Sequence, residues 1–383
     1  MKLIFVMTHP IQYYVGWCRV LATFPEVQLN VLYAFRQERL FDAGFQKRYK
    51  WDIDLYSGYK SRTGPAIAPF RGRFGWWLLF FPRPLFEAFR NDCVLMLGFT
   101  NLTGILLLLL KPLHRARIIL RQDAAEFQIR RRGFLAWLKR GIYRLLLKGV
   151  NVVLTQGIQN SNYFEYYGVP RSRHVLAPVI VEEELYCLPS ATERDRLRAR
   201  HGLNPEQVVF IVSGKFEPRK RVSFAIRAFS EHARRKPNSL LWLVGSGELD
   251  EELRALVKEL GMDSRIIFHG FVLQQEMAEL YKAADVLVHV ARFDPWPLCV
   301  MEGISCGLAV VLSSSVGSVD DIVLHGITGF RFEESDSAEL TGCLDAMCSD
   351  RGLAEKLAGA CREHLSGHRR ETVIRSVVEA CRR

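Results

Sequence analysis

Apolar residues along this chain fall into two repeating patterns. Short Val-, Ile- and Leu-rich runs alternate with longer stretches in which apolar side chains return every third or fourth position. The first pattern predicts buried parallel strands, and the second predicts the helices that cover them. In the first half the runs are KLIFVM (2–7), VQLNVLYAF (27–35), CVLMLGF (93–99), RIILRQD (117–123) and NVVLTQ (151–156). In the second half they are QVVFIVSG (207–214), LLWLVGSG (240–247), RIIFHGFV (265–272), ADVLVHVA (284–291) and LAVVLSS (308–314). The alternation predicts an α/β chain of two doubly wound Rossmann-like domains facing each other across a cleft, and 383 residues exceed what one ordinary core serves. The polar stretch 178–207 marks the join. Residues 1–190 are taken as one domain and 191–383 as the other, with the last helix free to pack back on the first.

Residues 93–110 carry no charge over a length near that of a membrane span, but Gly98, Thr100, Asn101, Thr103 and Gly104 interrupt the middle. A buried strand (93–98), a polar turn and a buried helix (102–111) account for them better. The opening MKLIFVMTHP is ended by His9 and Pro10 before a signal-peptide core could form, so it is expected as the first strand.

Charge changes the picture because it is uneven. Residues 1–190 hold 26 Lys and Arg against 13 Asp and Glu, a net +13, whereas the rest of the chain is at −2. Residues 130–148, RRRGFLAWLKRGIYRLLLK, contain seven basic residues and no acid, with Phe134, Leu138, Ile142, Leu145 and Leu146 at helical spacing. Aromatics gather in FRGRFGWWLLFF (70–81). A basic amphipathic helix beside Trp and Phe suits an anionic membrane surface, and it equally suits a helix with its apolar face on the core. No nucleic-acid reading module accompanies the charge, so nucleic acid is not expected as a partner. The nine cysteines form no CxxC pair and no His/Cys cluster at metal spacing, which points away from zinc and from a disulfide framework and toward a reducing cytosol.

The candidate chemistry lies at strand ends of the second half. After VVFIVS, Gly214 permits a tight turn, and Lys215, Arg219, Lys220 and Arg221 place four cations where an anion such as phosphate would be held. Gly245 and Gly247 form a single G-x-G without the rest of a dinucleotide fingerprint, which disfavours a nicotinamide dehydrogenase. His269 reads as a turn or edge residue. In ARFDPWPLCVMEGISCG (291–307), Pro295 and Pro297 stiffen the loop that carries Asp294 and let a helix begin near Leu298, which puts Glu302 in its opening turns. Two carboxylates and the free N–H groups of a helix start would then meet a hydroxyl-rich, anionic ligand. A capped surface helix with a solvated Glu fits the same residues.

Taken together these residues resemble the retaining, nucleotide-sugar-dependent glycosyltransferases of family 4, with the paired-Rossmann architecture called GT-B. The resemblance rests on Gly214-Lys215 with Arg219-Lys220, on GSGE (245–248), FHGFV (268–272) and the acid-x7-acid run from Asp294 to Glu302, and on VG (316–317), DDIV (320–323) and GITGF (326–330). THPIQYY (8–14) and LRQD (120–123) look like its acceptor-side loops. The resemblance implies an N-terminal acceptor-binding domain and a C-terminal nucleotide-sugar domain. It implies that Lys215 and Lys220 neutralise the donor diphosphate with Gly214 and Gly245 also at the donor, that Phe271 and Val272 border the base, and that Glu302 bonds the ribose. Asp294 would hold hydroxyls of the transferred sugar, with backbone around Trp296, Pro297 and Leu298 beside sugar and phosphate. His9 and Asp123 would lie near the reacting sugar. The chain departs from the family pattern at Asp294, Lys215, Arg221, Pro297 and Asp321, where Glu, Arg, Gly, Gly and Glu are usual.

The expected activity is hexosyl transfer, with retention and without a metal, from a UDP- or GDP-sugar co-substrate to a glycolipid, oligosaccharide or other cell-envelope acceptor. The expected place is the cytoplasm, peripheral at the inner membrane face through 130–148. No cofactor is expected. A catalytically inactive GT-B protein that binds a membrane or partner, and a sugar-nucleotide epimerase or phosphorylase on the same fold, are the alternatives.

Overall fold

The computed structural model describes residues 1–36, 40–42, 45, 47–49, 52–67, 78–129 and 132–382. Arg130, Arg131 and residues 70–77 of the aromatic stretch lie outside these. The chain forms two compact units: Met1–Glu38 with Ile53–Ile180 and His368–Arg383, and Arg39–Asp52 with Val181–Gly367.

In chain order the strands are β1 (Lys2–Met7), β2 (Gln28–Tyr33), β3 (Leu40–Asp42), β4 (Lys47–Tyr49), β5 (Ser61–Thr63), β6 (Cys93–Leu97), β7 (Arg117–Arg121) and β8 (Val152–Thr155). They continue with β9 (His174–Leu176), β10 (Val208–Ser213), β11 (Ser239–Val244), β12 (Ile266–Gly270), β13 (Val286–His289), β14 (Ala309–Ser313) and β15 (Phe330–Phe332). The first unit holds a parallel seven-stranded sheet in the order β5-β2-β1-β6-β7-β8-β9. Trp17 and Leu21 of helix Gln12–Thr23 cover one face, together with Val373 and Val377 of the C-terminal helix Arg370–Arg382. Phe99, Leu107, Tyr143 and Phe164 cover the other.

The uncharged stretch 93–110 divides into β6, a turn and helix Leu102–Leu109. Asn101 caps that helix by accepting from the Gly104 N–H at 2.8 Å, and a Cβ at Gly104 would stand 2.8 Å from Phe99 Cα. The helix is buried on one side only: Leu107 and Leu108 are inside, whereas Leu109 is 54% exposed. Among the described residues no helix is long and apolar enough to cross a membrane. Helix Phe134–Leu147 sorts its apolar residues in the same way. Leu146 turns inward with Tyr143 and Leu147, while Phe134, Leu138, Ile142 and Leu145 are exposed to solvent.

The second unit holds a parallel six-stranded sheet in the order β12-β11-β10-β13-β14-β15, and β3 pairs antiparallel with β4 in a separate two-stranded ribbon. Strands β10, β11, β13 and β14 are buried throughout, which is why they read as continuous apolar runs. Asp285, just before β13, anchors helix Ala191–Arg200 through Arg194 (2.7 Å) and Arg198 (3.1 Å). Strand order reverses between β1 and β6 in the first sheet and between β10 and β13 in the second. In open parallel sheets the loops leaving such a pair of strands at their carboxyl ends are where ligands bind.

Candidate functional site

In the second unit the loops after β10 and β13 carry the residues that the sequence singled out. Beyond β10 the chain turns at Gly214, whose φ is +138°, into Lys215. The Gly245–Gly247 loop after β11 packs directly on this turn. Phe216 N–H donates to the Ser246 carbonyl at 2.9 Å, and Leu249 N–H donates to the Phe216 carbonyl at 3.1 Å. A Cβ at Gly245 would stand 1.8 Å from the Gly214 carbonyl oxygen, and one at Gly247 would stand 2.5 Å from that of Phe216. Loop-on-loop contact therefore demands both glycines and fixes the turn that presents Lys215. The Lys215 ammonium lies 5.0 Å from the centroid of the Phe45 ring, which meets Phe271 edge-on at 5.0 Å. Ser246 Oγ donates to the Phe45 carbonyl at 2.9 Å. Phe45, from the segment between β3 and β4, thus joins three loops of this site.

A 3-10 turn, Pro218–Lys220, leads into helix Val222–Arg235 through Arg221, which takes the left-handed conformation at φ 52°. Its guanidinium bonds the Glu334 carbonyl and lies 4.3 Å from the Phe224 ring centroid. The basic turn is laced to the loop after β13. Arg292 N–H donates to the Arg219 carbonyl at 2.9 Å, and Arg219 donates to the Phe293 carbonyl at 3.0 Å. Lys220 Nζ reaches Asp294 Oδ2 at 2.5 Å.

Asp294 is 7% exposed. Its carbonyl accepts from Gly317 N–H at 2.8 Å, and a Cβ at Gly317 would stand 2.5 Å from the Pro295 carbonyl oxygen, so this contact also requires a glycine. His289, the last residue of β13, contacts Asp294 Oδ2 through Nε2 at 3.2 Å. Burial alone would raise the Asp294 carboxyl, but the His289 hydrogen bond and the Lys220 charge outweigh it and hold the group well below the usual carboxylate range. Burial likewise acts to lower His289, and Cys299 together with the Asp294 hydrogen bond raises it above its ordinary value.

Pro297 is extended and leads into helix Leu298–Ser305, whose first N–H groups have no intrahelical partner. Glu302 lies half-buried on this helix and accepts from Tyr281 Oη at 3.5 Å; Tyr281 Oη is in turn 2.7 Å from Ser213 Oγ. Burial pushes the Glu302 carboxyl up to about 7 against hydrogen bonds from Tyr186 and Tyr281. The two acids therefore have different settings: Asp294 is a fixed anion, and Glu302 titrates near neutrality. Trp296 is buried, while Leu298, Phe271 and Val272 are half-buried.

His9 and Asp123 belong to the first unit, after β1 and β7. Asp123 accepts from Gln156 Nε2 at 2.6 Å and Tyr14 Oη at 3.4 Å, and lies 3.7 Å from Nε of the fully buried Arg121. His9 Nδ1 is 3.0 Å from Thr8 Oγ1, and burial lowers its pKa below the ordinary imidazole value. His269 meets the Trp242 ring edge-on at 4.8 Å and His201 edge-on at 5.8 Å. Burial, then the neighbouring His201, pushes it down to about 4, as befits a packed ring.

His289, Cys299, Tyr281, Tyr186 and Phe45 were not singled out from the sequence. The available signal for His289 was an ionisable residue inside the run VLVHV, because a buried imidazole needs a partner. The tyrosines and Phe45 left no comparable sign.

Known proteins share this arrangement in part. Residues 193–364 match the family described as Glycosyl transferases group 1. Mannosylfructose-phosphate synthase of Agrobacterium fabrum is 29% identical over 196 residues, 48% of this chain and 42% of that protein. The GDP-mannose-dependent alpha-(1-6)-phosphatidylinositol monomannoside mannosyltransferase of Mycolicibacterium smegmatis is 29% identical over 180 residues, 45% of this chain and 47% of that protein. The chain spans about half the length of the curated relatives it matches. Among solved structures, Anabaena Alr3699/HepE in complex with UDP superposes with a TM-score of 0.75 at 16% identity, covering 99% of both chains. WaaG, a glycosyltransferase involved in lipopolysaccharide biosynthesis, superposes with a TM-score of 0.69 at 17% identity, covering 98% of both. At those identities the likeness is one of fold, that of GT-B proteins. Residues 193–364 of the chain thus carry a Glycosyl transferases group 1 domain.

Proposed function

We propose that this protein is a retaining glycosyltransferase that moves a hexosyl group from a UDP- or GDP-sugar to a lipid-linked or cell-envelope acceptor without using a metal. The observation that carries the proposal is the Lys220–Asp294 pair at the strand reversal of the second sheet, beside the start of helix Leu298–Ser305. Breaking a sugar–phosphate bond builds negative charge on the departing diphosphate and positive charge on the sugar ring. Lys215 and the helix N-terminus supply positive charge for the first, the Lys220 ammonium joins them as the diphosphate draws it over, and preorganised donors lower such a barrier because they need no reorientation during the reaction. Asp294, held as an anion, accepts from sugar hydroxyls, and Glu302 accepts from the ribose. The GDP-mannose dependence of one relative and the UDP complex of one structural neighbour support this choice of donor.

A membrane-linked acceptor agrees with the outer face of helix Phe134–Leu147. Leu135 and Trp137 are 78% and 70% exposed there, among the exposed cations Arg132, Lys139, Arg144 and Lys148. An apolar stripe bordered by cations is the chemistry of an interfacial helix on anionic lipid.

The test is Lys220→Ala assayed against UDP-glucose and GDP-mannose with EDTA present. Turnover should fall by about 10²–10³ while the chain stays folded, by analogy with the loss of one charge-stabilising donor. Undiminished turnover removes the phosphate role, and release of nucleotide only on adding metal removes the metal-free mechanism.

A further inference from the structure

The imidazole of His289 brackets the loop that carries Asp294. Its Nε2 meets Asp294 Oδ2 at 3.2 Å in the middle of the loop, and its Nδ1 faces Cys299 Sγ at 3.6 Å in the first turn of helix Leu298–Ser305, where the loop ends. The ring is 3% exposed and stands on the last residue of a fully buried strand. Both side-chain hydrogen bonds of Asp294 end on Oδ2, and among the described residues none reaches Oδ1.

We propose that His289 is a positioning residue that pins the Asp294 carboxylate by its Nε2–H, so that Oδ2 is occupied and Oδ1 alone is offered to a sugar hydroxyl. This rests on the reading of Asp294 as the sugar-holding group. Lys220 cannot do this work alone. Its ammonium is a compact charge on a flexible stem, and a diphosphate within its reach would draw it from the carboxylate. The imidazole, fixed to a buried strand end, stays where it is when the ammonium turns.

Cys299 completes the device. A thiol is a weak donor, and S–H directed at Nδ1 makes that nitrogen the acceptor and leaves the ring proton on Nε2, facing the carboxylate. The proton on one nitrogen is thus set by the partner of the other, as in histidines oriented by a neighbouring group. A carboxylate with one bound and one open oxygen has its rotation stopped before substrate arrives, and reacting groups gain most from being ordered in advance.

The experiment compares wild type, His289→Leu and His289→Gln, each as the full chain. Release of UDP from UDP-glucose and of GDP from GDP-mannose gives kcat and KM, and calorimetry with UDP and GDP alone gives nucleotide affinity. In His289→Leu, kcat/KM should fall about tenfold or more, the usual scale for losing a group that orients an essential ligand-holding residue. Affinity for the bare nucleotide should hold, because it has no sugar for Asp294 to grip. Gln, whose amide N–H can stand near the Nε2 position, should recover most of the loss. Equal losses in Leu and Gln, or turnover and nucleotide affinity falling together, would overturn the assignment. Nitrogen NMR of the imidazole supplies a reading free of turnover. It should show the proton on Nε2 in wild type and a shift at Nε2 in Asp294→Asn, and a proton on Nδ1 alone would refute the proposal. If wild type releases nucleotide from neither donor, the glycosyl-transfer reading fails, and the NMR result still decides the role of His289.

Discussion

Replacing Glu302 with Gln should stabilise the folded chain at alkaline pH while damaging its nucleotide site. The carboxyl is raised from an ordinary 4.5 to about 7 because burial beside Tyr281 and Tyr186 strips it of water, and among the described residues tyrosine hydroxyls alone support its charge. An acid raised by folding contributes its full stability below its unfolded value and loses it as pH rises through the folded one. The displacement corresponds to a cost of roughly 3 kcal/mol once the group is ionised, at about 1.4 kcal/mol per pKa unit. Glutamine keeps the shape and does not titrate. Urea unfolding of both proteins should therefore show a gap that widens in favour of the variant by roughly 2 kcal/mol between about pH 5 and about pH 8.5. Calorimetry with UDP and GDP should show the reverse effect, weaker binding in the variant, since an ionised carboxylate accepts two ribose hydroxyls and an amide offers a single acceptor oxygen. A gap independent of pH, or one that narrows as pH rises, would refute the placement of this carboxyl in a poorly solvated setting.

Two further outcomes follow from contacts already described. Gly245→Ala drives a methyl group to within 1.8 Å of the Gly214 carbonyl at a backbone φ of +139°, so circular dichroism melting should show a loss of several degrees or an unfolded second unit, on the order of 3 kcal/mol or more for a clash combined with a strained backbone. An alanine variant with native stability would contradict the packing of the two loops. In flotation with vesicles containing anionic lipid, wild type should rise with the vesicles and a Leu135→Ser/Trp137→Ser double variant should not, each lost apolar side chain weakening insertion by about 1.5–3 kcal/mol at full burial. Equal flotation of the two proteins would remove the membrane face.

The strands legible in the sequence are the longer, apolar-rich ones, most of them in the sheet interiors. Each of the apolar runs picked out, from KLIFVM to LAVVLSS, lies over a strand of one of the two parallel sheets. The unread strands β3, β4, β5, β9 and β15 are three residues long, with sequences such as SRT and FRF. They extend a sheet edge or form a ribbon, and pairing with a neighbour holds them where their own composition does not. Helix starts were legible where proline or asparagine marks them, as at Pro297 and Asn101. Which side of an amphipathic helix faces water was not, because periodicity fixes a face without saying what covers it; Leu146 went inward while Leu145 stayed out. In the site, Lys220 and Asp294 were readable one at a time, from a basic strand-end loop and a proline-braced acid. Their contact spans 74 positions of sequence and depends on β10 lying beside β13, which no local pattern encodes. Phe45 reaches the site from a stretch without apolar periodicity, and its role shows only in the folded contacts.

The path of the backbone bears on any attempt to study the two halves separately. The segment 39–52 is built into the second unit although both its flanks belong to the first, and the closing helix Arg370–Arg382 is built into the first although it follows the second. A gene cut once near the middle would give an amino-terminal fragment lacking the Val373 and Val377 side chains that seal its sheet, with a ribbon left over. The carboxy-terminal fragment would carry that helix with nothing to cover its greasy side and would lose the phenylalanine that rests against Lys215. Sound fragments would need the closing helix spliced to the first piece and residues 39–52 supplied to the second.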